Sequence, residues 1–287
     1  MAAGDSSNYA GSLQEVLADA MVHFSKANVC LPLVMVESRD KADTVTFPVY
    51  NLGSNTVTSA DVGSHSESDS SDIGATQLDS VKKTVTLDMF SIRVPVHDEA
   101  VLSNANDITG IAGELVGNAV AAKVDSLIVA NFDNFSGTAN DTTNGISVDD
   151  LFSALGQLQA NAAPAPYSMC HNPRAIYGSL GLSNDLVTSN QFGGSPSSQD
   201  DMLRTGFIGT LAGMDIFTSP EISISSNNAI GAVFSKMAIG FAHAGELMRM
   251  EVERDAKKLK TDYIGSIFCG SVELADTYGI ELQHKVT

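Results

Sequence analysis

The sequence predicts an α+β fold in which one long helix separates a two-stranded loop from a compact α/β domain. Three observations favour this fold class. Apolar residues recur with helical spacing over residues 106–132, alternating strand patterns flank a polar stretch within residues 44–95, and helical and strand patterns alternate over residues 146–243. Alternating helices and strands are typical of a sheet covered by helices.

The first 35 residues are predicted to form an N-terminal arm. Ser12 and Glu15 form a capping box ahead of a short amphipathic helix over residues 12–26. The apolar side chains on one face of this helix are Leu13, Val16, Leu17, Ala20, Met21 and Phe24. Because the arm has no obvious core of its own, we expect this face to contact another copy of the chain.

Two alternating patterns, at residues 44–50 and 82–95, predict the strands of a projecting β-hairpin. Residues 53–80 between them are rich in Ser, Gly and Asp and contain five carboxylates but no Lys or Arg. A two-stranded ribbon is marginal alone in water, and so long a loop needs a function or a docking surface. A tip that is disordered in the isolated monomer is the alternative, and it is compatible with docking in an assembly. The loop side chains that we expect to contact a neighbouring subunit are Phe47, Tyr50 and Phe90.

The segment 106–132 predicts a single helix about 39 Å long, since each helical residue rises about 1.5 Å. The predicted buried stripe includes Ile108, Ile111, Leu115, Val116, Ala119, Val120 and Leu127. Glycine lowers helix propensity, so the glycines at positions 110, 113 and 117 indicate that another backbone lies close to that flank. We interpret the helix as the structural spine of the subunit; an ordinary core helix is the alternative.

Beyond the helix, the chain predicts a compact α/β domain and a C-terminal return. The predicted helices lie at 149–161 and 172–180, and the strands at 167–171, 206–217, 229–234 and 237–242. A strand at 246–254 leads through a charged turn at 256–262 to closing strands at 263–274 and 279–282. We expect the closing strands to pair with the segment that leads into the long helix.

The formal net charge of −18 makes nucleic acid and anionic membranes poor partners for the average surface. Basic residues cluster between positions 249 and 260, but interleaved acids predict a salt-bridged surface there. Cys30, Cys170 and Cys269 lie far apart in apolar surroundings and are expected to stay reduced. No apolar run of membrane-spanning length and no signal peptide is recognised, so we expect a soluble protein made in a cytoplasm.

No pattern in the sequence predicts a catalytic residue, a cofactor or a metal site. The histidines and cysteines lack zinc spacings, and neither a phosphate loop nor a nucleophile elbow is present. Cys170 and His171 are adjacent, but neighbouring residues on a strand point to opposite faces. Calcium binding by a carboxylate loop is a weaker alternative to a solvated face. The carboxylates concerned are Asp133, Asp141, Asp149 and Asp150.

Several segments together resemble the major capsid proteins of tailed bacteriophages, which have the Hong Kong 97-type fold. They are residues 39–48 (RDKADTVTFP), 164–173 (PAPYSMCHNP), 209–220 (GTLAGMDIFTSP), 251–255 (EVERD) and 261–266 (TDYIGS). The resemblance covers nearly the whole chain and rests on the order and spacing of these segments. It implies an N-terminal arm (1–39), an extended loop (40–97), a peripheral domain with the spine helix (98–145), an axial domain (146–243) and a C-terminal return to the peripheral domain (244–287).

The resemblance also implies that copies of the chain form hexamers and pentamers of an icosahedral shell around double-stranded DNA. A separate scaffolding protein, a portal and a possible decoration protein would be its partners, and the genome would be enclosed without sequence-specific binding. Some relatives link subunits through a loop-tip lysine, but residues 53–81 contain none. An encapsulin-like nanocompartment shell is the nearest alternative, and a soluble α/β enzyme or adhesin is the alternative of a different class.

Overall fold

The computed structural model describes residues 27–50, 80–103, 108–183 and 209–286, together with Ala20, Val22, Phe24 and Val62. In these ranges the chain forms two sheets, a two-stranded ribbon and α-helices, in agreement with the predicted α+β class. One hydrophobic core extends through both sheets and the long helix. A second, smaller core lies beneath the ribbon.

The helices are α1 (Asp98–Ser103), α2 (Ile108–Val129), α3 (Val148–Ala160) and α4 (Pro173–Tyr177). The strands are β1 (Met35–Arg39), β2 (Thr44–Tyr50), β3 (Ser80–Thr86), β4 (Asp88–His97), β5 (Gly137–Thr138), β6 (Tyr167–His171), β7 (Thr210–Leu211), β8 (Met214–Thr218), β9 (Ile224–Ser225), β10 (Asn228–Ser235), β11 (Ile239–Ala244), β12 (Arg249–Asp255), β13 (Lys260–Glu273) and β14 (Gly279–Lys285). Short 3-10 helices lie at Leu31–Leu33, Phe132–Asn134 and Asp276–Tyr278.

The buried face of α2 follows small side chains rather than the large apolar ones. Its buried residues are Ala112, Gly113, Val116, Gly117, Val120, Ala121, Val124, Asp125 and Ile128. The predicted stripe is right for Val116 and Val120 but wrong for Ile111 and Leu115, whose side chains are 46% and 54% exposed. The physical reason is close packing, since a neighbouring backbone can approach the helix only on its small-residue flank. The remaining members of the predicted stripe, Ile108, Ala119 and Leu127, are half-buried.

By length and composition, the segment Ile108–Asn134 could cross a membrane. The expectation that no apolar run reaches that length is therefore wrong. Half of this apolar stretch is buried within the subunit, and its buried residues join the main hydrophobic core. Within the described residues, α2 is packed as the core helix of a folded domain.

The first sheet is organised around β13, which pairs antiparallel with β4, β11 and β12, while β1 extends the sheet parallel to β11. Helix α2 lies across this sheet: a side chain at Gly265 of β13 would overlap Val116 of α2. Because β4 leads into α1 and α2, the pairing of β13 with β4 confirms the predicted contact between the first closing strand and the lead-in to the helix.

The second sheet has the order β5-β14-β10-β6-β8-β7, and β9 pairs with β10. The prediction that residues 279–282 pair near the start of the long helix is wrong, because β14 lies between β10 and β5. The reason is burial on both faces: the first four residues of β14, including Glu281, are buried. Such a strand requires neighbours on both edges and cover on both faces, which the α/β sheet provides.

Two predicted helices border the second sheet. Ser147 and Asp150 form a reciprocal capping box at the start of α3, and Leu151 and Leu158 of this helix are fully buried. Asn172 caps α4 by accepting a hydrogen bond from the Arg174 N–H at 2.9 Å. The two helices therefore begin within one residue of the predicted starts at 149 and 172, although α4 ends before residue 180.

The predicted strand 82–95 is in fact two strands that belong to different sheets. β3 pairs with β2 along the full ribbon, from Thr44 opposite Thr86 to Tyr50 opposite Ser80. β4 pairs instead with β13. The change of partner occurs at Leu87, whose N–H donates to the Asp43 carbonyl at 2.9 Å. The ribbon is thus connected through Leu87 to β4 of the first sheet.

Candidate inter-subunit surfaces

The adjacent Cys170 and His171 do not form a nucleophile–base pair. His171 Nδ1 accepts a hydrogen bond from the Asn172 N–H at 2.8 Å, and Nε2 lies 3.1 Å from the Leu282 carbonyl oxygen. Both ring nitrogens are therefore engaged by the backbone. Burial, together with the nearby His284, lowers the pKa of His171 to about 3. The Cys170 sulfur instead contacts Cys30 Sγ, at 3.7 Å.

Acidification is expected to destabilise the subunit through His171. The unfolded chain binds a proton below about pH 6.5, whereas the folded form resists it down to about pH 3. The contribution of this histidine to stability is complete above pH 6.5 and falls as the pH decreases through that window. Chemical denaturation of His171→Gln should show a shallower decline than the wild type, with exposed His97→Gln as the substitution control. Parallel pH profiles for wild type and His171→Gln would contradict this assignment.

Two of the carboxylates considered for calcium, Asp141 and Asp150, have structural roles. Asp141 accepts hydrogen bonds from the hydroxyl and N–H of Thr143 and from Asn144. These bonds hold the pKa of Asp141 well below its usual range. Asp150 completes the α3 capping box and lies 3.4 Å from His284 Nε2. Across the described ranges, no group of three or more His, Cys, Asp and Glu side chains is arranged to hold a metal ion.

The end of the arm packs against its own subunit. A side chain at Gly117 would overlap the Ala20 carbonyl oxygen, so the arm backbone crosses directly over α2, as the glycines predicted. Phe24 is 6% exposed and belongs to the main core. The expectation that the arm has no local core is therefore wrong for Phe24 and for Ala20, which is fully buried in the same core. The other predicted arm residues lie outside the described ranges: Leu13, Val16, Leu17 and Met21.

A buried carboxylate on α2 fixes the chain just after the arm helix. Asp125 accepts hydrogen bonds from the Val29 N–H at 3.0 Å and the Cys30 N–H at 2.9 Å. Its side chain is almost fully buried, and burial raises its pKa. Helix α2 therefore holds the arm in two ways. Gly117 leaves room for the backbone at Ala20, and Asp125 accepts hydrogen bonds from the chain that follows. Sequence reasoning missed this residue, although a carboxylate on an apolar helical face was the available signal.

The base of the ribbon also packs on its own subunit. Phe47 is 2% exposed and lies in the small core with Val85, Leu87, Ala242 and Leu274. The prediction that Phe47 contacts a neighbour is wrong, since its strand face is turned onto the first sheet. Of the three predicted contact residues, Phe47, Tyr50 and Phe90, only Phe47 is buried within its own subunit.

Tyr50, at the outer end of β2, is 59% exposed. Phe90 of β4 is half-buried, and the Lys123 ammonium lies 4.7 Å from its ring centroid. Both aromatic rings therefore keep surface that a neighbouring subunit can contact, in contrast to Phe47.

An apolar surface follows the outer side of α2. Ile111 and Leu115 are exposed there. Beside them a groove of about 310 Å³ lies between α2 and β4. The residues that line this outer groove are Phe90, Ser91, Ile92, Ala119, Val120, Lys123 and Ile267. Apolar side chains exposed in a continuous region are typical of a protein interaction surface.

A second apolar surface lies at the far end of the first sheet, between α1 and the turn that joins β12 to β13. Leu102 of α1 is 87% exposed and Leu259 of the turn is 62% exposed. Arg254 holds the two parts together through a bidentate contact with Asp98, at 2.7 and 2.5 Å. The guanidinium also lowers the pKa of Asp98. We call this region the distal tip.

The basic cluster between residues 249 and 260 is largely paired with acids. Arg249 lies 2.5 Å from Glu251, and Lys258 lies 3.7 Å from Asp255. Lys260 contacts both oxygens of Asp262, at 3.0 and 2.9 Å. The Arg249 and Lys258 contacts, with the Arg254–Asp98 pair, confirm the predicted salt-bridged surface, whereas Lys260 and Asp262 form a buried pair. The cluster is therefore not an open strip of cations facing a phosphate backbone.

The phage capsid protein family model matches residues 80–279, while no curated protein matches the sequence. Among solved structures, the capsid of Ralstonia phage GP4 aligns with a TM-score of 0.68 at 12% identity, covering 89% of this chain and 87% of that chain. The capsid of cyanophage P-SCSP1u aligns with a TM-score of 0.65 at 19% identity, covering 89% and 87%. The SrpI encapsulin complex of Synechococcus elongatus PCC 7942 aligns with a TM-score of 0.58 at 13% identity, covering 90% and 87%.

These structural likenesses show a shared fold, and the observed sheets, long helix and ribbon account for it. The family match extends from the first residue of β3 to the first residue of β14. It therefore includes the long helix, most of both sheets and more than half of the sequence. The chain belongs to the phage capsid protein family.

Proposed function

We propose that this chain is the major capsid protein of a tailed phage and assembles into the icosahedral head that encloses a double-stranded DNA genome. The observation that carries the proposal is the family match over residues 80–279. Exposed apolar surfaces at the distal tip and along α2 support it, because a lone soluble chain rarely exposes several such regions. Its place of synthesis would be the host cytoplasm, and its final place the virion.

The subunit would divide into an arm (1–39), an extended loop (40–97), a peripheral domain (98–145 with 244–287) and an axial domain (146–243). Strand pairing supports a modified division. β11 joins the first sheet, whereas β14 joins the second. We therefore place the boundaries near residues 236 and 276, with β14 in the axial domain.

Copies of the chain would contact one another in hexamers and pentamers through the outer groove, the distal tip and the residues beyond Tyr50. Each contact can be weak, because many simultaneous contacts in one shell increase the total affinity steeply. The long polar loop of residues 53–80 has the length and composition of a segment that docks on a neighbour. A separate scaffolding protein, a portal and a possible decoration protein complete the proposed set of partners.

An encapsulin-like nanocompartment is the second candidate, supported by the SrpI encapsulin complex among the structural likenesses. The contents of the particle distinguish the two. Particles purified from the source of the gene should contain nuclease-protected double-stranded DNA and a portal if the chain forms a phage head. Particles that contain a cargo protein and no DNA would replace the proposal with a nanocompartment, and a chain that remains a monomer would favour an enzyme or adhesin.

Purified subunits are expected not to bind duplex DNA at physiological salt. The chain carries a formal net charge of −18, and its basic cluster is paired with acids. Few cations are thus left to displace the counterions of DNA, which is the source of non-specific affinity. A filter-binding titration across salt concentrations measures this. Submicromolar affinity that falls steeply with salt would show that the wall of the shell binds the genome directly.

A further inference from the structure

Two cysteines from distant parts of the chain meet in the core. Cys30 and Cys170 are 140 residues apart, and their sulfur atoms lie 3.7 Å apart. Both side chains are fully buried, and both are free thiols. The third cysteine, Cys269, is also buried and free but lies on β13 of the other sheet. One thiol lies in residues 28–31, which Asp125 holds and which we call the arm junction, and the other lies in the α/β sheet.

Backbone contacts position each cysteine in the closed structure. The backbone of Cys30 is held by Asp125, and the 3-10 helix Leu31–Leu33 follows it directly. Cys170 lies in β6, opposite Phe217 on one side and Ala232 on the other. A disulfide requires a sulfur–sulfur distance of about 2.05 Å. The two sulfurs would therefore have to approach by roughly 1.6 Å, a distance on the scale of side-chain rotation.

We propose that Cys30 and Cys170 form an oxidation site, where a small disulfide such as oxidised glutathione converts two thiols into one intramolecular cross-link. The first cysteine thiolate attacks a glutathione sulfur, which releases one reduced glutathione and leaves a mixed disulfide. The second cysteine thiolate then attacks the protein sulfur of that mixed disulfide and expels the second glutathione. The protein loses two electrons and two protons, and one glutathione disulfide becomes two thiols.

Opening of the arm junction controls the reaction. While the junction is closed, the thiols are shielded from solvent, and the adjacent Cys170 thiol and burial raise the pKa of Cys30. The thiolate is the attacking species, so the closed pair reacts slowly. When the segment at Asp125 opens, Cys30 reaches solvent and can form the mixed disulfide. When the arm junction closes again, the Cys170 thiol comes within reach of the mixed disulfide on Cys30.

The cross-link would join the arm junction to the α/β sheet within one subunit. Cytoplasmic reductants keep such thiols reduced, whereas an oxidising medium allows the bond to form. If the chain is a virion protein as proposed, oxidation would follow release of the particle from its host. The cross-link closes a long loop and so restricts the unfolded chain, which raises resistance to denaturant. Because it lies within one chain, it adds no higher bands to a denaturing gel.

The test uses the purified full-length chain, first reduced and then incubated in native buffer with oxidised glutathione until modification is constant. Free thiols are alkylated, and the digested protein is mapped by mass spectrometry without reduction. We expect a cross-linked peptide pair containing Cys30 and Cys170, with Cys269 alkylated. The oxidised wild type and Cys269→Ala should both unfold at higher denaturant concentration than their reduced forms. Cys170→Ala should show neither cross-link nor shift.

The mapping of the wild type decides the proposal even if Cys170→Ala fails to fold. Thiols that remain alkylatable at both positions would overturn it. A stable glutathione adduct on Cys30, a bond that involves Cys269 or a cross-link between two chains would overturn it as well.

Discussion

Val116→Asp is expected to prevent folding of the subunit. Val116 is fully buried between α2 and β13, where a side chain added at Gly265 would already overlap it. Val116 belongs to the main hydrophobic core, and burying a charge among apolar side chains costs several kcal/mol. Since whole domains are stable by only about 5–15 kcal/mol, the variant should be insoluble or unfolded by circular dichroism.

The neighbouring Leu115→Asp is the matched control. Leu115 is 54% exposed, so its carboxylate remains hydrated and the subunit should fold. The same substitution should nevertheless impair shell formation, because it places a charge on the apolar outer side of α2. Soluble folded Val116→Asp protein would show that the buried face is assigned incorrectly. Normal shells from Leu115→Asp would remove the outer side of α2 from the proposed interface.

Asp125→Ala is expected to release the arm junction and to destabilise the subunit by about 2–6 kcal/mol, because two N–H groups lose their acceptor and each group left unsatisfied costs about 1–3 kcal/mol. The two donors are the N–H groups of Val29 and Cys30. Chemical denaturation measures the loss, and hydrogen exchange at residues 28–31 reports local opening.

Asp125→Asn removes one of the two acceptors. The Val29 N–H donates to Oδ2 and the Cys30 N–H donates to Oδ1, so an amide keeps one acceptor and turns its NH2 group towards the other donor. Asn should therefore also weaken the attachment of residues 28–31, with a loss of stability comparable to that of Ala. An Asn variant as stable as the wild type would show that acceptance by both carboxylate oxygens does not hold the arm.

Local patterns predicted the elements of this fold well. Alternation predicted β2 at its observed limits, and the predicted starts of α3 and α4 each lie within one residue of the observed ones. Gly117 correctly indicated a backbone against α2, because only a missing side chain admits the Ala20 carbonyl. These signals are local: the backbone geometry of a short segment determines each of them.

The errors arose where the local sequence pattern fits two different tertiary arrangements. Leu115 and Val116 fit the same helical period, and which one is buried depends on the contour of the opposing sheet. Residues 82–95 alternate continuously, yet the chain changes partners at Leu87. The same limit explains why the contact between Cys30 and Cys170 was not predicted. Their separation of 140 residues is bridged only by tertiary packing.

Negative-stain electron microscopy of the expressed chain, with its scaffolding protein supplied if required, shows whether the chain builds a shell. We expect closed icosahedral shells for the wild type and isolated folded subunits for Leu115→Asp. A wild-type chain that stays a monodisperse monomer at high concentration, with scaffolding protein present, would rule out the proposed capsid function.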